Sequence, residues 1–325
     1  MKKILPSERP EISLALLFPL VAAFFYALSS VCMRAAVVEE GAELPFLAIR
    51  EGLTCLVALP IYLWQLQRGT TPHPGAKILV AFLAAALAVQ LFGNIAQMIS
   101  FRFIGMGVSV AASWAGTLVF APMIGWFLLS EPFQKKARIA TLITLCAVFF
   151  LGAGANLQTE SALGWHNALA LVFVILSVLA GGVFSLSNGL VQKLTSLGNS
   201  PFLAVVALPG AGLISLTLLE QFLHGGAGWS LLTQWTLFLA LSAGVANFIA
   251  FFALTLGLHY LGIVRVSLIN LLQLIFVPLM GYFLFAEPIN ACIASGIFLT
   301  LCGVVVANKP SSSGKQDDRE GACTQ

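Results

Sequence analysis

Charged residues are scarce in this sequence. Only 9% of its 325 residues are charged and 59% are hydrophobic, whereas a soluble domain carries about 25% charged residues. A water-facing surface cannot be built from this composition. The net charge of +3 gives no indication of a nucleic-acid partner.

Residues that build disulfides, metal sites and catalytic centres are also scarce. None of the six cysteines has CxxC spacing, and five lie in apolar runs, where they read as small buried hydrophobes. The four histidines fall in loops or at the ends of apolar runs. No Ser/His/Asp pattern, metal-ligand cluster or P-loop is present. The sequence therefore predicts no catalytic residue, metal or cofactor, and no ATP-driven pump.

Long apolar runs dominate the chain. Roughly 20 apolar residues cross about 30 Å of hydrocarbon, and this criterion predicts an all-α integral membrane protein with about ten spans. The first run follows Lys2, Lys3 and Arg9, but it is too long for a signal peptide and is predicted to be a retained span. The predicted spans are 12–33, 45–66, 77–100, 105–129, 138–155, 165–189, 201–223, 231–257, 260–285 and 290–307. Residues 1–11 are predicted to be a cytoplasmic N-terminal segment, and residues 308–325 a cytoplasmic disordered tail.

The chain repeats itself at a constant offset. A Pro-x-x-Gly pair followed by Glu-Pro occurs twice, 156 residues apart. The same offset carries Pro45-Phe46-Leu47-Ala48 onto Pro201-Phe202-Leu203-Ala204. The first copy of the motif is Pro122, Gly125, Glu131 and Pro132, and the second is Pro278, Gly281, Glu287 and Pro288. Two five-helix repeats, 12–155 and 156–307, are predicted.

Charge placement predicts the orientation of these repeats. With the N-terminus inside, twelve Lys and Arg residues lie on inside segments, and only Arg34 and Arg102 lie outside. The positive-inside rule then places both termini in the cytoplasm. Because each repeat has an odd number of spans, the second must be inverted relative to the first, which is the plan of many secondary transporters.

These features resemble a known family. Two repeats that end in Glu-Pro after a Pro-x-x-Gly helix, with Arg50-Glu51-Gly52-Leu53 in the second span, resemble the EamA domain of the drug/metabolite transporter superfamily over residues 12–307. The resemblance implies a ten-helix fold, an inner-membrane location and export or exchange of small metabolites. It further implies a central cavity flanked by the first, third, fourth, sixth, eighth and ninth spans. One departure is that Val206 stands where the repeat would place a second Arg50.

Polar residues within the spans are candidates for the cavity, because ionisable groups at membrane depth cost about 2.5–3.5 kcal/mol. Arg50 offers two donors to a substrate carboxylate or phosphate, and Glu51 is a candidate proton carrier. The structural alternative is that both snorkel outward or bridge to other helices.

Periodic polar stripes mark further candidates. Gln90, Asn94 and Gln97 share one face of the third span, which favours a wet cavity. The stripes Ser109, Ser113, Gly116, Thr117 and Ser177, Gly181, Ser185, Asn188 favour close helix packing instead, although Ser113, Thr117 and Asn188 remain cavity candidates. Trp114 either covers a substrate or fills space, and Asn270 and Gln273 need buried partners. Arg265, near the start of the ninth span, is either an anchor at the cytoplasmic interface or a substrate contact.

The repeat motif itself is interpreted as structural. Each Glu-Pro pair places negative charge at the positive end of the following helix, and Pro122 and Pro278 predict bends. Gly152, Gly154, Gly296 and Gly303 would permit a homodimer contact.

The sequence thus favours a secondary transporter that exports or exchanges a small polar metabolite, such as an amino acid, by alternating access. Its partners would be that small-molecule substrate and the lipid bilayer. A multidrug exporter and a non-transporting membrane assembly partner are the alternatives.

Overall fold

The described part of the chain is a bundle of helices. The computed structural model describes residues 12–37, 42–69, 71, 75–129, 135–158, 165–196, 200–261, 266, 269–270 and 272–308. The main helices are α1 (Ile12–Val37), α2 (Glu43–Gln67), α3 (Ala76–Ala88), α4 (Ile95–Leu129), α5 (Lys135–Gln158), α6 (Trp165–Ser196), α7 (Pro201–His224), the single turn α8 (Ala227–Ser230), α9 (Gln234–Leu261), α10 (Gln273–Phe285) and α11 (Ala291–Asn308).

Six of the described helical stretches are long and apolar enough to cross a membrane. They are Leu16–Val37, Glu43–Gln67, Leu79–Phe120, Leu169–Val191, Phe202–His224 and Gln234–Gly257. Shorter apolar helices are Ile139–Gly154, Gln273–Phe285 and Ala291–Gly303. Lipid offers no hydrogen bonds, so a spanning segment must satisfy its own backbone, as a helix does. The prediction of an all-helical multi-pass membrane protein is confirmed at this level.

The predicted third and fourth spans are joined without a loop. A π-helical segment, Val89–Asn94, connects α3 to α4, and α4 breaks at Gly105, where φ is 75° and ψ is 163°. Glycine adopts positive φ without the steric cost that a Cβ brings. This single residue separates 95–104, which continues the third span, from 106–129, which forms the fourth.

Small residues set the closest helix contacts. In α2 and α7, Gly52 faces Leu213 and Gly210 faces Cys55, while Gln65, near the end of α2, accepts a hydrogen bond of 2.7 Å from Ser200, which precedes α7. The two helices are therefore antiparallel.

Helices α5 and α11 are antiparallel too. They pack against each other through three of the glycines that were candidates for a homodimer contact. A Cβ on Gly154 would meet Ile293, one on Gly296 would meet Leu151, and one on Gly303 would meet Thr144. These glycines contact residues of the same chain, so they no longer support a homodimer contact. The homodimer stays a prediction.

The sequence predicted that Glu287 places its negative charge at the start of the following helix. In the structure its carboxylate bonds to a different helix. Its carboxylate accepts hydrogen bonds from the backbone N–H groups of Met106 at 3.0 Å and Gly107 at 3.3 Å, which begin the 106–129 helix. It also accepts one from Arg34 Nε at 2.9 Å. The negative charge therefore caps a helix 180 residues away in sequence, and the start of α11 has Asn290, whose Oδ1 accepts from Ile293 N–H at 2.9 Å.

The rest of the repeat motif is placed as follows. Pro278 and Gly281 are buried in α10, and Pro278 packs against Gly107. Pro122 and Gly125 fall within α4. Glu131 and Pro132, like Arg265, lie outside the described residues.

The two ends of the bundle can now be named. At the Glu287 end lie the ion pairs Arg34–Glu287 and Arg102–Glu43. At the Ser200 end, α2 finishes and α7 begins.

Candidate functional site

A cavity of about 200 Å³ occupies the middle of the bundle. It is lined from α1, α2, the π-helical segment, α4, α6, α7, α9 and α10, together with Asn270. All eleven sequence candidates line it: Arg50, Glu51, Gln90, Asn94, Gln97, Ser113, Trp114, Thr117, Asn188, Asn270 and Gln273. Residues from the two halves of the chain therefore meet around one space.

Arg50 and Glu51 are buried in the wall of this cavity, only 7% and 2% exposed. This burial contradicts outward snorkelling, whereas the other structural alternative, that the two residues bridge to other helices, agrees with their contacts. Arg50 Nη2 donates to Asn247 Oδ1 of α9 at 2.9 Å, and Nη1 donates to Met33 Sδ of α1 at 3.4 Å. Arg50 Nη1 and Glu51 Oε1 are 3.6 Å apart, although sequence neighbours on a helix point about 100° apart. The long arginine side chain closes that angle.

The predicted amide stripe contacts the same carboxylate. Asn94 Nδ2 donates to Gln90 Oε1 at 2.6 Å and to Glu51 Oε1 at 3.5 Å. Gln90 and Asn94 belong to the π-helical segment, and π-helical turns occur frequently at functional sites. A Cβ on Gly212 of α7 would strike the Gln90 amide, so a glycine there makes room for it.

Asn270, Gln273 and Trp114 form another part of the wall. Trp114 Nε1 donates to Gln273 Oε1 at 3.3 Å, which links α4 to α10 through side chains. Asn270 is only 6% exposed, and its Oδ1 has no hydrogen-bond partner among the described residues. An unpaired buried acceptor is costly, so a ligand that donates a hydrogen bond would satisfy it.

The two Ser/Gly stripes divide between packing and cavity. Ser109 and Ser177 bond to each other at 3.0 Å. A Cβ on Gly116 would strike the Val178 carbonyl oxygen, and one on Gly181 would strike that of Ser113. Backbones this close occur where small residues face each other, as the packing interpretation predicts for these four residues.

The remaining members of the stripes face the cavity in part. Thr117 lines the cavity and donates to the Gly181 carbonyl at 3.1 Å, so it serves both purposes. Ser113 and Asn188 line the cavity. Ser185 is buried outside the lining.

Sequence reasoning missed several lining residues. Asn247 joins α9 to α2: it accepts from Arg50 and donates to Thr54 Oγ1 at 3.2 Å. Its signal, an amide inside an apolar span, was the same as that of Asn94. Tyr26, Ser29 and Ser30 of α1 also line the cavity. Ser30 donates to the Tyr26 carbonyl of its own helix, as serines in apolar helices often do, whereas Ser29 donates to the Ala243 carbonyl of α9 at 3.4 Å.

The cavity extends away from the Glu287 end. Near that end its lining residues Met33 and Val110 are at most 3% exposed, and Arg34, next to Met33, is held by Glu287. Towards the Ser200 end the lining includes Asn188, which is exposed. Among the described lining residues the only charged pair is Arg50 and Glu51.

Comparison with known proteins identifies a shared fold. No family model and no curated protein matches the sequence. Solved structures do match. One crystal structure, described only as that of a protein, is similar over 91% of this chain and 96% of its own, with a TM-score of 0.58 and 12% sequence identity. At this identity the likeness concerns the fold alone.

Proposed function

We propose that this protein is a secondary transporter of the EamA type, which moves a small polar metabolite across the inner membrane by alternating access. The observation that carries the proposal is the central polar cavity. Its wall combines a buried Arg–Glu pair with seven amide side chains from both halves of the chain. Such groups are expensive in a membrane protein and usually mark a substrate path.

Helix packing supports two inverted repeats of five spans. With the offset of 156 residues, α2 corresponds to α7 and α5 to α11, and each of these pairs packs together antiparallel. Thr144 and Thr300 are equivalent under this offset, are both fully buried, and each bonds to the carbonyl four residues earlier. Repeats related by an axis in the membrane plane place their site where the repeats meet, near the midplane.

The size of the cavity favours a small substrate. Drug-sized ligands occupy pockets of about 300–1,000 Å³, whereas this cavity measures about 200 Å³. This smaller volume matches a compact metabolite such as an amino acid better than a multidrug substrate.

A purely structural membrane partner is a weaker explanation of the same wall. Charged side chains at the centre of a span cost about 2.5–3.5 kcal/mol each on insertion, and an apolar core would pack at no such cost. The close contacts between α2 and α7 at Gly52 and Gly210 are made with Leu213 and Cys55, not with Arg50 or Glu51.

Orientation follows from charge. If both termini are cytoplasmic, as the positive-inside rule predicts, the Ser200 end faces the cytoplasm. The cavity would then be closed on the outer side by the Glu287 contacts and directed inward.

The test is transport by the purified protein. Proteoliposomes loaded with a defined mixture of small polar metabolites are diluted, and mass spectrometry measures which compounds leave faster than from protein-free liposomes. We expect selective loss of one chemical class. Gln90→Ala, Asn94→Ala and Gln97→Ala should slow that efflux at least tenfold with normal expression, whereas Phe92→Leu, a lipid-exposed residue of the same segment, should not.

Two results would overturn the proposal. One is an absence of efflux for every compound from liposomes that contain folded protein. The other is unchanged efflux per folded molecule in the three amide variants, with a lower yield of folded protein, which would assign the amides to packing.

A further inference from the structure

We propose that the cavity binds a small monocarboxylate together with a proton: the carboxylate on the Arg50 guanidinium and the proton on the Glu51 carboxylate. This inference rests on the proposed transport function and names the substrate class and coupling of the same site.

Arg50 is incompletely paired. Its Nε is buried and has no hydrogen-bond partner among the described residues. Nη1 donates to Met33 Sδ, and a thioether sulfur is a weak acceptor. Only Nη2 makes a short bond to oxygen, with Asn247 at 2.9 Å. A guanidinium in the wall of a cavity with an unpaired Nε–H and a weakly paired Nη1 has donors left for a carboxylate.

The positive charge of Arg50 is balanced by the negative charge of Glu51. Arg50 Nη1 lies 3.6 Å from Glu51 Oε1, so the buried pair sums to zero. A carboxylate that binds Arg50 brings a second negative charge, and one cation then faces two anions. Burying an uncompensated charge is very costly. Transfer of one proton from bulk water to Glu51 removes that charge, and the loaded site is neutral again.

Other groups around Glu51 are poor alternatives for this proton. The titratable and charged groups that face it are Arg50 on its own helix, Tyr26 of α1, and Cys55 one turn further along α2. Tyr26 and Cys55 are ordinarily protonated at neutral pH, since free phenols and thiols titrate near 10 and 8.5. The π-helical segment contributes the amides of Gln90 and Asn94 to Glu51, and the described lining residues of that segment and of α4 include no titratable or charged side chain.

Asn270, another residue of the cavity wall, places a further requirement on the ligand. Asn270 Oδ1 is buried without a partner among the described residues, and a ligand hydroxyl or N–H would supply its missing donor. The ligand class is therefore a small monocarboxylate that carries one hydrogen-bond donor, such as a hydroxycarboxylate.

The experiment measures binding and proton uptake on the full-length protein in detergent. The probes are glycolate, lactate and 3-hydroxybutyrate, their uncharged amides, and glycine, which carries its own positive charge. Calorimetry gives affinity between pH 5.5 and 8, and an indicator dye in weak buffer reports protons taken up. We expect at least one hydroxycarboxylate to bind with uptake of about one proton, its affinity rising about tenfold per pH unit of acidification, as linkage of one proton requires.

Variants assign the two groups. Glu51→Gln should bind the same carboxylate with affinity that no longer depends on pH and without proton uptake. Arg50→Gln should lose carboxylate binding by a hundredfold or more. Glu43→Gln, which removes the partly exposed carboxylate at the start of α2, is the matched control and should behave as the wild type.

Four outcomes contradict the inference: carboxylate binding without proton uptake in the wild type, unchanged uptake in Glu51→Gln, amides that bind as well as the acids, or no binding by any carboxylate. The wild-type measurements decide even if a variant fails to fold. Efflux of a different metabolite class from proteoliposomes would leave the proposed function intact while refuting this inference, whereas no efflux at all would refute both.

Discussion

Replacing Glu287 should destabilise the protein far more than its position at a helix end suggests. Its carboxylate joins three separate elements: Arg34 at the end of α1, the N–H groups of Met106 and Gly107 that begin the 106–129 helix, and its own segment after α10. The Glu287 side chain is only 13% exposed and that of Arg34 is 19% exposed. Glu287→Ala removes all of these contacts at once.

The magnitude follows from the contacts. A hydrogen bond to a charged group contributes about 1.5–3 kcal/mol, and an anion at a helix start adds about 0.3–1 kcal/mol. Water reaches the vacated groups in part, because Arg34 is not fully buried, so we expect a loss of about 3 kcal/mol for Glu287→Ala. Glu287→Gln keeps an acceptor oxygen but loses the charge, and about half that loss is expected.

The matched control lies at the same end of the bundle. Glu43 and Arg102 are 3.7 Å apart, with side chains 27% and 39% exposed, and exposed ion pairs contribute about 0–1 kcal/mol. Reversible unfolding of each variant in mixed micelles, followed by tryptophan fluorescence, gives the free energies. If Glu287→Ala and Glu43→Ala lose the same stability, the reasoning from burial and helix capping is wrong.

Three further predictions concern packing, topology and the site. Gly181→Ala should destabilise by more than 2 kcal/mol in the same unfolding assay because its methyl group strikes a backbone carbonyl, whereas Gly75→Ala, which meets no atom within 4 Å, should be neutral; equal effects would contradict the close crossing of α4 and α6. Single cysteines at Gln67 and Ser230, in a background without other cysteines, should react with a membrane-impermeant maleimide from opposite sides, and same-side labelling would refute the antiparallel arrangement of α2 and α7. Asn247→Ala should weaken binding of the transported metabolite about tenfold by releasing Arg50 Nη2, with folding retained; unchanged affinity would show that Asn247 does not position Arg50.

Many of the residues that line the cavity could be predicted from the sequence, for a physical reason. A polar side chain inside an apolar run must face protein or water, because lipid cannot pair with it. Helical spacing then groups such residues on one face, as it did for Gln90, Asn94 and Gln97. The same rule applied to Asn247 would have added it to the site.

Partnerships between distant residues could not be derived in this way. The Glu-Pro motif pointed to the next helix, yet Glu287 caps Met106 and Gly107, because a carboxylate bonds the nearest unpaired N–H group in space. The glycines of α5 and α11 were equally ambiguous. Small residues permit close approach to any helix, and only the packed bundle shows that Gly154 faces Ile293.

By itself, the sequence determined the solvent and the secondary structure. With 9% charged residues the chain must lie in lipid, and lipid requires each span to be a helix. The tertiary structure decided which polar groups share one space and which remain unpaired there. Arg50, Asn247 and Asn270 come from three separate helical stretches, and their contacts depend on side-chain directions and helix crossings that no local pattern encodes. The unpaired Nε of Arg50 and Oδ1 of Asn270 exist only in that assembled wall.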